Sequence, residues 1–322
     1  MIFDSHVSAR GIRAAALAAA FGVAFAGPAS AADAYRMMTG PQGGVWVPLG
    51  GALKNLWENS IAGLSIQPLP GAGIANIRGV EEGKAEIGFG NSISTVDGIA
   101  GRPPYPAAVK NVCNLATLYP QYFQVVALAS ANVSSIKDLK GKSIVVQPKG
   151  NTAEAVTVDI LKVNGLSYAD MKVNFQASYT DAVSLMKDGH AQVYTLGTVA
   201  QASSVMDLAA GRDIKLLDLA ASLDGMKKIN PGYTLVTIKG GTYPKQDKDV
   251  KVIGYATHLV VSCKLPPDQV YIMAKSIADN VKDLSAVNKD LGALTPKMMA
   301  EDIGVPLHPG AAKFYKEVKA IN

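Results

Sequence analysis

The sequence is poor in charged residues and in cysteine. Only 18% of its 322 residues are charged, against 48% that are hydrophobic, and it has two cysteines and four histidines. This composition excludes a disordered or fibrous chain and indicates a globular protein. The net charge is +5, but the lysines and arginines are scattered and form no basic run. Nucleic acid is therefore not an expected partner.

The signatures of common enzymes and metal sites are also absent. The sequence has no GxSxG, HExxH or CxxC, and no GxGxxG follows its first predicted strand. His190, His258 and His308 lie far apart and have no second ligand at metal-binding spacing. We therefore expect no catalytic residue, metal ion or cofactor. A secreted enzyme of unrecognised mechanism is kept as an alternative.

The amino-terminal residues have the pattern of a secretory signal peptide. Arg10 and Arg13 precede an apolar run at 14–26, and small residues follow at 29–31. A membrane anchor would need about 20 apolar residues, and Gly27 and Pro28 end this run earlier. The pattern predicts a signal peptide over residues 1–31, cleavage near Ala31 or Ala32, and export to the periplasm.

The two cysteines, Cys113 and Cys263, lie in or beside apolar, strand-like segments. A cysteine in such a segment is most often a small buried hydrophobic residue. An exported protein can also form disulfides, but the sequence cannot place two Cα atoms within about 7 Å. We expect buried thiols and leave the disulfide as the alternative.

Strands alternate with helices in two similar units. The first unit has strands at 34–39, 65–69 and 85–89 and helices at 48–59 and 74–82, and the second has strands at 142–146, 172–175 and 192–196 and helices at 152–163 and 180–187. This order predicts two α/β lobes, each with a doubly wound, mainly parallel sheet.

The lobes are expected to be joined by crossover strands. The apolar stretch at 113–129 can carry the chain from one lobe to the other, and further strands are predicted at 233–238 and 252–262, followed by one helix over 270–284. The predicted boundaries are 32–120 plus 228–322 for lobe 1 and 121–227 for lobe 2.

Glycine-rich loops precede several helices, at 40–44, 71–73 and 90–92. Helix N-termini have unpaired N–H donors and a partial positive charge, so they bind small anions. Asn151 with Glu154 three residues later predicts a capping box at the helix starting with Thr152. Two facing sets of helix N-termini predict a cleft that closes over a small anion.

Several segments resemble the TAXI solute receptors, the TRAP-transporter-associated extracytoplasmic immunogenic proteins. They are TGPQGGVWVPLGGAL at 39–53, LYP at 118–120, IKDLKGK at 136–142, GTYPKQD at 241–247 and PLHPGA at 306–311. The resemblance implies a two-lobed periplasmic binding protein that delivers a small carboxylate, such as glutamate, 2-oxoglutarate or another keto or dicarboxylic acid, to inner-membrane TRAP permease subunits. We also expect a monomer. A receptor of an ABC transporter or a sensor with the same architecture is the alternative.

The resemblance also implies the ligand-binding residues. In the first lobe they are Thr39, Gly40, Gly44, Val45, Trp46, Asn91 and Ser92. In the second lobe they are Lys149, Asn151, Thr152, Gly197 and Thr198.

Three of these residues also have simpler interpretations. Trp46 stands where the family usually has tyrosine, and it could instead fill the lobe core. Asn151 could serve only as a helix cap. Lys149 replaces a small residue and is expected to contact a carboxylate, with a solvated loop charge as the alternative. His308 is expected to fix a surface turn outside the site.

Overall fold

The computed structural model describes residues 33–322. The predicted signal peptide and its cleavage point lie outside the described residues. Within residues 33–322, no helix has both the length and the apolar character needed to cross a membrane.

Three parallel strands and two helices open the described chain. β1 (Ala34–Met38) pairs with β2 (Ser65–Leu69) and with β3 (Ile87–Asn91). The connecting helices are α1 (Trp46–Ser60) and α2 (Gly73–Glu81). The predicted βαβαβ unit is confirmed.

The structure differs from the sequence prediction directly after β3. The segment at 90–92 was expected to be a loop, but α3 (Ser92–Ile99) begins there. Asn91 is still extended, with φ −116° and ψ 131°, and Ser92 is already helical. The strand therefore passes into the helix without an intervening loop.

The second unit follows a long strand. β4 (Val112–Leu128) leads into it. Its elements are β5 (Ser143–Val146), α4 (Thr152–Val163), β6 (Lys172–Phe175), α5 (Tyr179–Lys187) and β7 (Val193–Thr198). β5 pairs in parallel with β6 and β7, so the repeated pattern is confirmed.

The remaining elements complete both lobes. They are α6 (Ser203–Gly211), β8 (Ile214–Leu216), α7 (Leu223–Ile229), β9 (Thr234–Ile238), β10 (Val250–Ser262), α8 (Pro267–Asp279), α9 (Val281–Val287), α10 (Pro296–Met299) and α11 (Pro309–Glu317). The single helix predicted over 270–284 is two helices, because the backbone leaves helical geometry at Asn280, with φ −121° and ψ 27°.

Two long strands run through both lobes. The sheet order is β2-β1-β3-β10-β4-β7-β5-β6, and β10 and β4 are antiparallel to each other. The end of β10 pairs with β3, while the end of β4 pairs with β7. The register between β4 and β10 shifts between Thr257 and His258. These two strands are the crossover strands that the sequence predicts.

Each lobe has its own hydrophobic core. The lobe 1 core contains Leu49, Trp57 and Phe89, with Leu259 from the end of β10. The lobe 2 core contains Val145 and Ile160, but also Tyr233, Ile238 and Ile253. The segment from 233 to 255 thus packs with lobe 2, and we propose that the chain returns to lobe 1 within β10 rather than at residue 228.

A disulfide links the two crossover strands. Cys113 in β4 lies opposite Val261 in β10. This register brings the Cα atoms of Cys113 and Cys263 to 5.1 Å from each other, and the sulfurs are bonded. The expectation of two buried thiols is therefore wrong. The sequence could not show the proximity because it depends on the pairing of strands from distant parts of the chain.

Candidate functional site

A small cavity lies between the two lobes, where the loops after the parallel strands meet. Lobe 1 contributes Pro41, Gly44, Val45, Trp46, Gly73 and Asn91. Lobe 2 contributes Asn151, Ala153, Tyr179, Gly197 and Thr198. The crossover strands contribute Gln121 and Tyr255. The space open to the centre of a water molecule is about 20 Å³, which is room for about one water.

Five helices start at this cavity. Trp46, Gly73 and Tyr179 are the first residues of α1, α2 and α5, and Asn91 and Asn151 are the N-caps of α3 and α4. The carboxyl ends of parallel strands meet at one edge of each sheet, which brings the following helix starts together. The partial positive charges of five helices therefore converge on one small volume.

The three lobe 1 helices that start at the cavity have no side-chain caps. No side chain caps α1, α2 or α3, and none of the three has an acidic residue in its first turn. In lobe 2, by contrast, Asn151 and Ser178 cap α4 and α5. Some first-turn N–H groups already have backbone partners, since Val47 donates to the Gly44 carbonyl and Ala75 to the Gly150 carbonyl. N–H groups that remain free, without a neighbouring carboxylate, are suited to an anion.

Three lining residues have buried polar atoms without a hydrogen-bond partner in the described part of the chain. They are Nε1 of Trp46, Nδ2 of Asn91 and Oε1 of Gln121, and all three side chains are at least nine-tenths buried. Leaving a buried polar group unpaired costs about 1–3 kcal/mol. A solute in the cavity is a candidate partner for Asn91 and Gln121, whereas the Trp46 indole has the Tyr119 hydroxyl nearby.

Trp46 lies against the core as well as against the cavity. Its ring stacks on Phe89, with centroids 5.3 Å apart and an interplanar angle of 18°. The indole can donate but not accept. The Tyr119 hydroxyl lies within its reach, because a hydrogen bond from Trp46 opposes the rise that burial causes in the pKa of Tyr119. The two interpretations of Trp46, core residue and cavity residue, are therefore compatible.

The lobes contact each other beside the cavity. The backbone N–H of Ala75 donates to the carbonyl oxygen of Gly150 over 3.0 Å, and the hydroxyls of Ser94 and Thr152 are 3.1 Å apart. The cleft in this structure is closed. A solute larger than water needs these contacts to open before it can enter.

Seven of the twelve predicted ligand-binding residues line the cavity. They are Gly44, Val45, Trp46, Asn91, Asn151, Gly197 and Thr198. The other five lie near it but not on its wall. Thr39 donates through its hydroxyl to the carbonyl oxygen of Leu69, and Gly40 packs against the Trp46 ring.

The remaining three predicted residues have other roles. The Ser92 hydroxyl accepts from the backbone N–H of Ala256 over 3.1 Å, which ties α3 to β10. Thr152 contacts Ser94 as described above. Lys149 is exposed and outside the cavity wall. The Lys149 side chain, which the sequence predicts to contact the solute, therefore lies in solvent.

Six lining residues were not expected from the sequence. They are Pro41, Gly73, Gln121, Ala153, Tyr179 and Tyr255. Pro41, Gly73 and Ala153 lie in or beside segments that the glycine-rich loops and the capped helix had indicated. Gln121 and Tyr255 are on the crossover strands, and only the paired register of β4 and β10 brings them to the cavity. Burial raises the pKa of Tyr179 and of Tyr255, so both phenols are neutral.

Two predictions about local structure need correction. Asn151 caps α4 by accepting from the backbone N–H of Ala153, but Glu154 does not complete a capping box and instead accepts from the Tyr168 hydroxyl. His308 is fully buried rather than on a surface turn, and its Nδ1 accepts from the backbone N–H of Gly310. His308 does not line the cavity.

A buried histidine contacts α3, the helix that begins at the cavity after Asn91. His258 is fully buried, with Nδ1 3.0 Å from Oδ1 of Asn114 and Nε2 2.8 Å from the Thr95 hydroxyl. Because the amide oxygen only accepts, Nδ1 carries the proton and Nε2 is an acceptor. Nε2 competes with the Asn91 carbonyl oxygen, 3.1 Å from the Thr95 hydroxyl, for the single proton of that hydroxyl. Burial lowers the pKa of His258 to about 3. The neutral imidazole thus fixes Thr95, one turn from Asn91.

In residues 33–322, no group of three or more histidine, cysteine, aspartate or glutamate side chains is placed to hold a metal ion.

Solved structures with a similar fold are two-lobed binding proteins. PhnD1 from Prochlorococcus marinus (MIT 9301), in complex with methylphosphonate, has a TM-score of 0.55 at 11% identity, over 90% of this chain and 99% of that one. A structure described as a periplasmic transporter has a TM-score of 0.54 at 15% identity, over 90% and 94%. A third, described as "Putative L-Cystine ABC transporter from Listeria monocytogenes", has 0.50 at 14%, over 81% and 97%.

These likenesses confirm the fold predicted from the sequence, the two-lobed α/β fold of periplasmic binding proteins. Because the sequence identities are so low, these likenesses show a shared fold and nothing further. A sequence profile of the NMT1-like family matches residues 37–318, which is most of the chain. The chain therefore belongs to the NMT1-like family.

Proposed function

We propose that this protein is a periplasmic solute receptor that binds a small organic anion between its lobes and delivers it to a membrane transporter. One observation carries the proposal. Five helix N-termini from both lobes converge on a cavity in which the Asn91 amide is a buried donor without a partner in residues 33–322. Backbone N–H groups and neutral donors of this kind hold anions without a dedicated cation.

Among the anions that suit these donors, we favour a carboxylate. Its two oxygens can accept from the Asn91 amide and from free backbone N–H groups at once. The resemblance to TAXI receptors favours glutamate, 2-oxoglutarate or another keto or dicarboxylic acid as candidates. PhnD1, whose fold is similar, was solved with methylphosphonate, also a small anion.

The transporter that receives the solute is a separate question. The ABC type has the better support, because one of the proteins with this fold is described as an ABC transporter protein. The TRAP type, with its inner-membrane permease subunits, is the second candidate, because the motifs at 39–53 and 306–311 resemble TAXI receptors. A neighbouring gene for an ATPase would indicate the first, and one for a large polytopic permease the second.

The disulfide agrees with export to the periplasm. The disulfide between Cys113 and Cys263 is of a kind that persists in oxidising compartments. The signal-peptide pattern at residues 1–31 supports the same location.

A thermal-shift screen of organic acids, phosphonates and neutral solutes tests the proposal. A solute present at 100 times its Kd stabilises the folded state by about 2.7 kcal/mol, which raises the Tm by several degrees. Asn91→Ala, which removes a lining donor, is expected to weaken the shift. Asn164→Ala is a matched control, because Asn164 lies at the far end of α4 and bonds to Ser222.

Three results would count against the receptor proposal. The first is a shift given only by neutral solutes, and the second is an equal shift in both variants. The third is chemical change of the solute after incubation, which would favour the enzyme alternative.

A further inference from the structure

At two places in the cleft, a glycine of lobe 1 lies against a threonine of lobe 2. A β-carbon added at Gly43 would lie 2.8 Å from Oγ1 of Thr180. A β-carbon added at Gly73 would overlap the Thr152 hydroxyl and lie 3.2 Å from the Thr152 Cβ. Gly73 and Thr152 are the first residues of α2 and α4. These two helix starts therefore meet across the cleft at a position where one of them has no side chain.

The two threonines differ in their freedom to move. Thr180 is exposed, so its hydroxyl can rotate away from an added methyl group. Thr152 is only 2% exposed, and its hydroxyl is 3.1 Å from the Ser94 hydroxyl of lobe 1. An extra methyl group in a packed site forces its neighbours apart. Of the two contacts, the one at Gly73 is therefore the one that an added side chain would open.

The contact at Gly73 fixes the separation of two helix N-termini. The backbone N–H of Ala75, one turn into α2, donates to the Gly150 carbonyl just before α4, and this bond needs the same close approach. Gly73 and the N-cap Asn151 both line the cavity. The N-termini of α2 and α4 therefore face the same small volume only while Gly73 lies against Thr152.

We propose that Gly73 is a positioning residue that lets the lobes close until α2 and α4 both face the cavity, and that a side chain at this position holds the cleft open. The proposal rests on the proposed function for its consequence, because a receptor in which the closed state is rarer binds its solute more weakly. The contact between Gly73 and Thr152 does not depend on which solute is bound.

A pair of cysteines across the cleft can record closure without any solute. A β-carbon added at Gly150 would lie 3.9 Å from the Ala75 Cβ, which suits a disulfide. Ala75→Cys with Gly150→Cys should therefore form a disulfide under mild oxidant when the lobes close. The native Cys113 and Cys263 are bonded to each other, so they do not compete. Trapped protein accumulates even if closure is brief, and labelling of the remaining thiols gives the rate.

Gly73→Ala in this paired-cysteine protein is expected to slow disulfide formation at least about fivefold. Gly51→Ala is the matched control, because Gly51 is in α1 of the same lobe and an added β-carbon there meets nothing within 4 Å. Its rate should equal that of the paired-cysteine protein.

Thr152→Ala separates closure from damage within lobe 1. It removes the hydroxyl that the added methyl group would overlap, so Gly73→Ala should slow trapping less than about twofold in this background. The added β-carbon would also lie 2.6 Å from Oδ1 of Asn91. Asn91 belongs to lobe 1, so that contact has the same effect with either residue at position 152. A general weakening of lobe 1 would slow trapping equally in both backgrounds.

Four results would overturn the proposal. They are an unchanged rate in Gly73→Ala, an equal slowing with threonine and with alanine at position 152, an equal slowing by Gly51→Ala, and no disulfide in the paired-cysteine protein. The last would mean that the lobes do not reach this separation. None of the four bears on the receptor proposal, which the solute screen tests on the unmodified protein.

Discussion

The backbone N–H of Tyr179 donates to the carbonyl oxygen of Gln42 over 2.9 Å, which joins the start of α5 in lobe 2 to the loop before α1 in lobe 1. Together with the contacts at Gly150 and Thr152, it holds the cleft closed beside the cavity. Since the closed cavity has room for about one water, binding must couple to opening and closing of the lobes.

Thr152→Val is expected to weaken solute binding by about fivefold. Valine keeps the shape of threonine but removes the contact to Ser94 across the cleft, and one such hydrogen bond contributes about 1 kcal/mol to the closed state. Titration calorimetry of the solute found by thermal screening measures the effect. Thr157→Val is the control, because Thr157 is on the same helix but bonds to Thr195 within lobe 2. Thr157→Val should lower the Tm and leave the Kd unchanged, and a similar change of Kd in both variants would contradict the closure argument.

The fluorescence of Trp46 is expected to change when the cleft closes over the solute. It lies on the cavity wall, whereas Trp57 is buried in lobe 1 with its indole N–H donating to the Met273 carbonyl. In Trp57→Phe, saturating solute should shift or quench the remaining emission, and in Trp46→Phe it should not. X-ray scattering should show a smaller radius of gyration with solute. A scattering profile that does not change at saturation would show that no closure occurs.

The disulfide is expected to contribute strongly to stability. Cys113 and Cys263 are 150 residues apart, and a loop of that length gives roughly 5 kcal/mol in the chain-entropy model. Cys113→Ser with Cys263→Ser should therefore unfold at much lower denaturant concentration than the parent. Parent protein denatured without reductant should have no reactive thiol. Two thiols per chain in that assay would refute the disulfide.

His258 is expected to destabilise the fold in acid. Its pKa falls from the ordinary 6.5 to about 3 in the folded state. The unfolded chain takes up a proton as the pH falls through 6.5, while the folded chain does not. Stability is therefore complete above pH 6.5 and is lost towards pH 3, by about 1.4 kcal/mol per pH unit.

The comparison of the parent with His258→Gln isolates this effect. Burial raises the pKa of Glu154, Asp159 and Asp290, and these carboxyl groups change stability with pH in the opposite direction. Denaturant unfolding at several pH values should show the extra loss of stability in the parent only. Parallel pH profiles for the two proteins would mean that His258 is not held neutral.

The sequence predicts the repeated part of this fold well and the tertiary contacts poorly. The strands and helices of both βαβαβ units follow from local alternation, and so do the helix starts beside the cavity. Gln121, Tyr255 and the disulfide depend on the register between β4 and β10, which shifts at His258 and has no local signature. The sequence does not show the break at Asn280, because Val281 and Leu284 continue the helical spacing of α8. The sequence places Lys149 in a loop, but the spacing of residues does not encode the direction of a loop side chain.

Lys149→Met is expected to change solute affinity by less than about twofold, because a solvated charge outside the cavity contributes little. The sequence predicted a cationic contact at this position, which would make the loss roughly 10- to 100-fold. Affinity measured at low and moderate salt separates the two cases, since a direct contact between Lys149 and a carboxylate would weaken with ionic strength. Asn91→Ala is the comparison, because Asn91 is neutral and on the cavity wall, so its loss should weaken binding at both salt concentrations. A large, salt-dependent loss in Lys149→Met would show that the lysine folds into the cleft around the solute, and the anion would then not rest on helix N-termini and neutral donors alone.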